Sequence, residues 1–200
     1  MGPIESLRNL RQAVSARRWD QTRPFLPDAA ADETIAQMAA IGRLHLAARA
    51  MRNAVKDRFG LAAAQEFDFR NIEQLLGPLS ESARLLDESI NGSHARVAYQ
   101  LANRLPNRSA DLILSGGTWR LDVHPIASLP EAVDRLASLL RRMTGEIDSR
   151  RLDLVTFRRE LAIRRQPILR TIERLVTQSS HDKKDQNAIG IAPAPGSRQR

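Results

Sequence analysis

The chain has 200 residues, 42% of them hydrophobic and 27% charged, which suits one globular domain or one domain with an extension. It contains no cysteine, so disulfides, thiolate metal sites and a cysteine nucleophile are excluded. No stretch reaches the roughly 18 apolar residues of a membrane span, and the first residues lack the apolar core of a signal peptide. We expect a soluble, cytoplasmic protein, although an exported chain without its signal would look the same.

The formal charge of +8 is concentrated toward the C-terminus. Residues 1–132 carry 16 basic and 15 acidic side chains, whereas residues 133–176 carry 11 and 6, and residues 177–200 carry 4 and 2. A basic helical segment can contact nucleic acid, an anionic membrane or an acidic protein. Arginine-rich helix faces exposed to solvent are also common and need no partner.

The first third of the chain has helical periodicity. Apolar residues spaced by three and four predict a helix over residues 4–19, which the prolines that follow interrupt. A longer helix is predicted to begin after a cap at Asp28 or Asp32 and to stop at Gly60. Residues 61–67 predict one or two further helical turns.

The middle of the chain alternates apolar and polar residues, as half-buried strands do. This pattern covers residues 94–101 and 118–123, with a short apolar run at 112–114 between them. Asn91-Gly92 and Gly116-Gly117 predict tight hairpin turns.

Two stretches beside these strands are less clear. Residues 103–109 predict a longer loop. If residues 84–90 form the first strand, the sheet is a four-stranded antiparallel meander, but the same residues could equally form a helix.

Helical periodicity returns after residue 125. One helix is predicted with Pro130 in its first turn, apolar residues from Val133 to Ile147 and Gly145 near its end, and a second over residues 149–176, with a kink at Pro167. The second helix has apolar residues at intervals of seven: Leu154, Leu161, Ile168 and Leu175. Residues 178–200 are polar and then rich in Ala and Pro, which predicts disorder.

These elements predict an α+β fold: N-terminal helices packed on a small antiparallel meander, followed by a C-terminal helical hairpin. We divide the chain into an α+β domain at residues 4–124, a basic helical hairpin at 125–177 and a disordered tail at 178–200.

The hairpin at residues 111–123, in which a glycine turn precedes Trp119, Arg120 and alternating apolar positions, resembles the nuclear-transport-factor-like or SnoaL-like superfamily. The opening helix and its exit at residues 15–26 are also similar. The resemblance covers residues 4–124 and implies a curved, cone-like sheet wrapped around helices, with a cavity between them. It also implies that a homodimer could form through the sheet. No catalytic pair of that superfamily can be mapped onto this chain.

Three residues are candidates for ligand binding: Tyr99, Trp119 and His45. Tyr99 and Trp119 lie on the apolar faces of their predicted strands, where the tyrosine hydroxyl would anchor the core or line a cavity. His45 lies on the apolar stripe of the long helix, where we favour a core histidine bonded to a backbone carbonyl over a general base.

Asp122 could act as a base, but strand parity favours a surface ion pair with Arg120. The four histidines show no metal-ligand spacing, and Gly116-Gly117 lacks the residues of a phosphate-binding loop. We therefore predict no metal and no cofactor.

Four arginine pairs recur along the two C-terminal helices. They are Arg141-Arg142, Arg150-Arg151, Arg158-Arg159 and Arg164-Arg165. They could neutralise phosphates, although acidic residues lie between them and no base-reading motif is present.

The favoured hypothesis is a non-catalytic module that binds a small apolar ligand or a protein partner. One rival is an acid–base enzyme, a lyase, isomerase or hydrolase, that would use His45 and Tyr99 with Asp68 or Glu66. The other is binding of nucleic acid or an anionic surface through the arginine pairs.

Overall fold

The computed structural model describes residues 1–67, 74–101, 104–149 and 151–189. The described residues form an α+β fold in which helices precede and follow one four-stranded antiparallel sheet, as predicted. The α-helices are α1 (Pro3–Ser15), α2 (Trp19–Thr22), α3 (Ala31–Phe59), α4 (Leu61–Gln65), α5 (Leu129–Asp148) and α6 (Leu154–Ile189). The strands are β1 (Ala83–Asn91), β2 (His94–Leu101), β3 (Arg104–Ser115) and β4 (Thr118–Leu121).

The sheet is a meander with the strand order β1-β2-β3-β4. The region that could have been helix or strand is β1, which pairs with β2 from Ala83↔Leu101 to Asn91↔His94. The hairpin turns lie where predicted, and Gly92, Gly116 and Gly117 all adopt positive φ angles. The four-stranded meander is therefore confirmed.

The loop predicted at residues 103–109 is wrong, because β3 begins at Arg104 and includes Pro106. The pairing of β2 with β3 is irregular between Tyr99 and Leu101, and Pro106 lies opposite this irregularity. β4 pairs only with Leu112 to Ser115, so the missing amide of Pro106 removes no regular ladder bond.

The N-terminal helix is shorter than predicted. α1 ends at Ser15, and Arg17 has a φ of 56°, so Trp19 begins the separate helix α2 instead of ending the first one. α3 starts at Ala31 without a side-chain cap from Asp28 or Asp32, and it ends as expected before Gly60.

The C-terminal helices form the predicted hairpin. α6 starts at Leu154, later than expected, because the Asp153 carboxylate accepts bonds from the Thr156 amide (2.8 Å) and hydroxyl (3.1 Å). The Thr156 amide is the main cause of the lowered pKa of Asp153. α6 continues through Pro167 and past the expected end near residue 176, to Ile189. Of the tail predicted to be disordered, residues 190–200 lie outside the described residues.

Two clusters of buried side chains form the core. The helix cluster joins the C-terminal part of α3 with α4, α5 and α6, and its centre includes Met51, Leu140 and Phe157. The sheet cluster joins α1 and the N-terminal part of α3 to one face of the sheet, which includes Val97 and Leu112. α3 belongs to both clusters and connects them.

Candidate functional site

A cavity of about 340 Å³ lies between α3, the middle of β3 and the end of β4. Residues 75–79, a 3₁₀ turn before β1, close one side, and residues 121–125, which leave β4, close another. Met38, Ile41 and Leu121 supply part of its apolar wall. Its volume is at the lower end of the usual range for small-molecule sites, so it fits a small ligand.

Thr34 lines this cavity from the first turns of α3. The residue is only 6% exposed, and its hydroxyl has no hydrogen-bond partner within the described part of the chain. A buried hydroxyl without a partner costs about 1–3 kcal/mol. Because Thr34 lines the cavity, a ligand there is a candidate partner for this hydroxyl.

An ionisable pair lies at the same cavity. His124 Nδ1 is 3.8 Å from Asp122 Oδ1, and the two side chains are 53% and 29% exposed. The distance is longer than a hydrogen bond but allows an ion pair when the histidine is protonated. The backbone fixes Asp122, whose amide donates to the Asp111 carbonyl oxygen at 2.8 Å.

The surface ion pair predicted between Arg120 and Asp122 is wrong. Arg120 pairs instead with Asp28, at 2.7 Å, in the turn that precedes α3. β4 ends at Leu121, so strand parity no longer determines the direction of the Asp122 side chain, which contributes to the cavity wall.

Charge at this cavity is mainly negative. Asp111 is a second carboxylate in the lining, but Arg96 Nε binds it at 2.9 Å. Among the described residues, the His124 imidazole is the one ionic neighbour of Asp122. The cavity thus combines an apolar wall with a carboxylate and a hydroxyl that can bind a ligand.

Tyr99 and Trp119, both 6% exposed, belong to the sheet cluster, and neither lines this cavity. Burial raises the pKa of Tyr99, and the neighbouring Arg108 guanidinium opposes part of that rise. A Cβ added to Gly77 would lie 3.3 Å from the Tyr99 hydroxyl oxygen. Tyr99 therefore packs behind the turn that closes the cavity, and its predicted part in ligand binding stays a prediction.

His45 is exposed, so the predicted core histidine is wrong. The buried face of α3 changes along the helix. Near its start, Thr34 and Met38 face the sheet, whereas farther along Leu44 and Met51 face the other helices. His45 continues the first of these faces beyond the region that the sheet covers. There it lines a second, smaller cavity of about 210 Å³.

The acid–base set predicted for an enzyme does not share one cavity. His45 lines the smaller cavity, whereas Tyr99 is in the sheet cluster. Glu66 forms an ion pair with Arg158 of α6, and Asp68 lies outside the described residues.

Several members of the arginine pairs bind neighbouring acids or hydroxyls. Arg158 pairs with Glu66, Arg159 Nε is 4.0 Å from Glu160, and Arg164 contacts Glu146 and Glu160 at 3.3 and 3.0 Å. Arg141 donates to the Ser138 hydroxyl at 3.0 Å. Arg142 and Arg151 are exposed and Arg165 is half-buried, while Arg150 lies outside the described residues. These ion pairs reduce the positive charge available to a phosphate backbone.

Comparison with protein-family models, curated proteins and solved structures found no match. The resemblance to the SnoaL-like superfamily therefore stays a prediction. Within the described ranges, no helix is long and apolar enough to cross a bilayer, and no cluster of three or more potential ligands could hold a metal ion.

Proposed function

We propose that this protein is a non-catalytic binding module, built on a SnoaL-like cone, whose larger cavity takes a small, mostly apolar amine. The observation that carries the proposal is that one apolar-walled cavity is lined both by Asp122 and by Thr34, whose hydroxyl has no partner among the described residues. The apolar body of the ligand would pack on Met38, Ile41 and Leu121. Its ammonium group would bind Asp122, because a carboxylate on a partly enclosed wall favours a cation, and the 3.8 Å separation from His124 is too long for a hydrogen bond that would compete.

Three phenylpropyl compounds that differ only in the terminal group test this proposal: phenylpropylamine, phenylpropanol and phenylpropionate. Heteronuclear NMR would follow the amide shifts of the protein during titration. We expect the amine to bind most tightly and to shift the amides of Thr34, Ile41 and Leu121. Equal shifts with all three compounds, or no shifts near these residues, would contradict the proposal.

Two conservative variants with matched controls locate the polar contacts. Asp122→Asn should weaken amine binding about tenfold or more, since a charge-assisted hydrogen bond contributes about 1.5–3 kcal/mol. Asp148→Asn, which removes an exposed carboxylate of α5 outside the cavity, should leave the affinity unchanged.

Thr34→Val replaces the hydroxyl with a methyl group of similar size. It should stabilise the fold by about 1 kcal/mol while weakening binding, because the buried hydroxyl has no partner. Thr144→Val is its control, since that hydroxyl already donates to the Leu140 carbonyl at 2.9 Å and its loss should destabilise the fold. Unchanged affinity in both Asp122→Asn and Thr34→Val would exclude this cavity as the amine site.

The proximity of His124 to Asp122 favours a second candidate, an acid–base enzyme that moves a proton on a ligand in this cavity. Small ketones incubated with the protein in deuterated water would then gain deuterium beside the carbonyl group. His124→Gln should abolish that exchange. Absence of exchange with the unmodified protein, together with amine binding, would favour the non-catalytic module.

A further inference from the structure

The smaller cavity is a neighbour of the larger one, and the two cavities share part of their lining. Met38, Leu76 and Leu79 line both cavities. The smaller cavity is bounded by the turn between α1 and α2, the middle of α3 and the residues just before β1.

The polar lining of the smaller cavity is mainly basic. Arg17 and Arg49 contribute guanidinium groups, His45 contributes an imidazole and Glu81 is the opposing carboxylate. Neither Arg17 nor Arg49 has an ion-pair partner within the described ranges, in contrast to Arg158 and Arg164 of α6. Two guanidinium groups that have no ion-pair partner among the described residues, opposed by the single carboxylate of Glu81, give this concave surface a net attraction for an anion.

The backbone supports the position of Arg17. Its φ of 56° lies in the left-handed region, which glycine or asparagine adopts more readily than arginine. The Arg17 and Arg18 amides donate to Val14 (3.0 Å) and Ala13 (2.9 Å), so this turn also ends α1. Any residue that tolerates a positive φ would serve the turn, whereas an arginine also brings a cation to the cavity.

The same cavity has an apolar side. Trp19 is half-buried in its lining, and Leu46 is 41% exposed although it is a large apolar residue. Inorganic phosphate would leave these surfaces uncovered. A carboxylate joined to an aromatic or aliphatic body would cover them while its planar head binds a guanidinium group.

From these contacts we infer that the smaller cavity binds a small organic carboxylate, with its head group on Arg17 and Arg49 and its apolar body against Trp19 and Leu46. This site is independent of the amine site proposed above. Either site could bind its ligand if the other proposal failed.

The test is a titration of the full chain with phenylpropionate, phenylpropanol and inorganic phosphate, followed by amide shifts. We expect phenylpropionate to shift the amides of Gly42, Leu46 and Ser80, and the other two compounds to bind much more weakly. Comparable binding of phenylpropanol would overturn the charge argument. Comparable binding of inorganic phosphate would overturn the inference of an organic ligand.

Variants separate binding from a structural role. Arg49→Gln should weaken phenylpropionate binding about fivefold or more, and Glu81→Gln should strengthen it, since that change removes the opposing charge. Arg52 is exposed on α3, the helix that also carries Arg49, but it lies outside the cavity. Arg52→Gln should therefore leave the affinity for phenylpropionate unchanged. Equal affinities for Arg49→Gln and Arg52→Gln would overturn the proposal.

Arg17→Gly gives an independent check. Glycine tolerates the positive φ, so the melting temperature should stay the same or rise, while phenylpropionate binding should fall. Unchanged binding in Arg17→Gly would show that Arg17 serves only the turn.

Discussion

The two clusters of the core differ in their position relative to the two cavities described above. In the helix cluster, the fully buried Phe157 ring packs on Phe67 at a centroid distance of 5.2 Å and on Phe59 at 6.4 Å. Both cavities described above instead lie beside the sheet cluster, where residues 75–79 contribute to their walls. The helix cluster, which joins residues 40–67 of the nearly neutral segment to the basic C-terminal helices, thus supplies packing, whereas both described cavities lie beside the sheet cluster.

α3 connects these two regions, because its first half packs on the sheet and its second half packs on α5. A helix that belongs to both clusters should couple their unfolding. Both tryptophans, Trp19 and Trp119, report on the sheet half, whereas far-UV circular dichroism reports mainly on the helices. We expect the two signals to change together during denaturation.

Phe157→Ala should have the largest effect on stability. Removing this fully buried ring should lower the free energy of unfolding by about 3–5 kcal/mol, measured by urea denaturation. Although the ring lies in the helix cluster, the tryptophan fluorescence transition should shift as far as the circular dichroism transition. A fluorescence transition that stayed in place would show that the clusters unfold separately.

Leu112→Ala probes the other cluster. Leu112 is 1% exposed and pairs with Ala95 and Leu121 across the sheet. We expect a loss of about 2–4 kcal/mol, again in both signals, because a truncated core leucine loses transfer energy and leaves a cavity. A loss seen only by fluorescence would indicate a sheet that can melt while the helices persist.

Gly77→Ala should have a smaller effect, at the turn beside both cavities. Gly77 has φ 54° and ψ −125°, and a Cβ there would lie 3.3 Å from the Tyr99 hydroxyl oxygen. We expect a destabilisation of about 1–3 kcal/mol from the backbone conformation. In the double variant with Tyr99→Phe, only the share of the lost stability that comes from the contact with the tyrosine hydroxyl should be recovered. Full recovery of stability would contradict a backbone cause. Gly145→Ala in α5, where a Cβ meets nothing within 4 Å, should instead stabilise the fold.

The regular elements were predictable because their periodicity is local. The alternation over residues 94–101 and 118–123 and the glycine turns indicated the meander, and the apolar stripes of α5 and α6 indicated the hairpin. The errors occurred where a local signal was misleading. Pro106 is typical of a loop but lies at a pairing irregularity, and Arg17 gives no sequence signal for a left-handed turn.

The candidate sites were harder to predict, since they depend on contacts distant in sequence. The sequence predicts an ion pair between Asp122 and its near neighbour Arg120, but that arginine binds Asp28, far away in sequence. His45 lies on the same face of α3 as the buried Ile41, one turn earlier, but no other described element packs over this face at His45, which is exposed. Thr34 gave no signal at all, because an unpartnered hydroxyl is a property of its surroundings.

The smallest predicted effect concerns the ion pair that joins α3 to α5. Arg43 donates to both carboxylate oxygens of Asp134, at 2.8 and 2.7 Å, and the side chains are 47% and 38% exposed. These bonds hold the pKa of Asp134 below its ordinary value. For such an exposed pair, Arg43→Gln should cost no more than about 1 kcal/mol near neutral pH.

The pH dependence of that cost identifies its source. Because the folded-state pKa of Asp134 is lowered, the contribution is complete above the ordinary carboxyl pKa of about 3.9 and disappears as the pH falls through the folded-state pKa. The stability difference between Arg43→Gln and the unmodified protein should therefore shrink in acid. Arg135→Gln, which breaks the 2.6 Å pair with Glu131 inside α5, should cost only a few tenths of a kcal/mol. A cost for Arg43→Gln that persisted in acid would show that the arginine stabilises the helix contact by packing and not by charge.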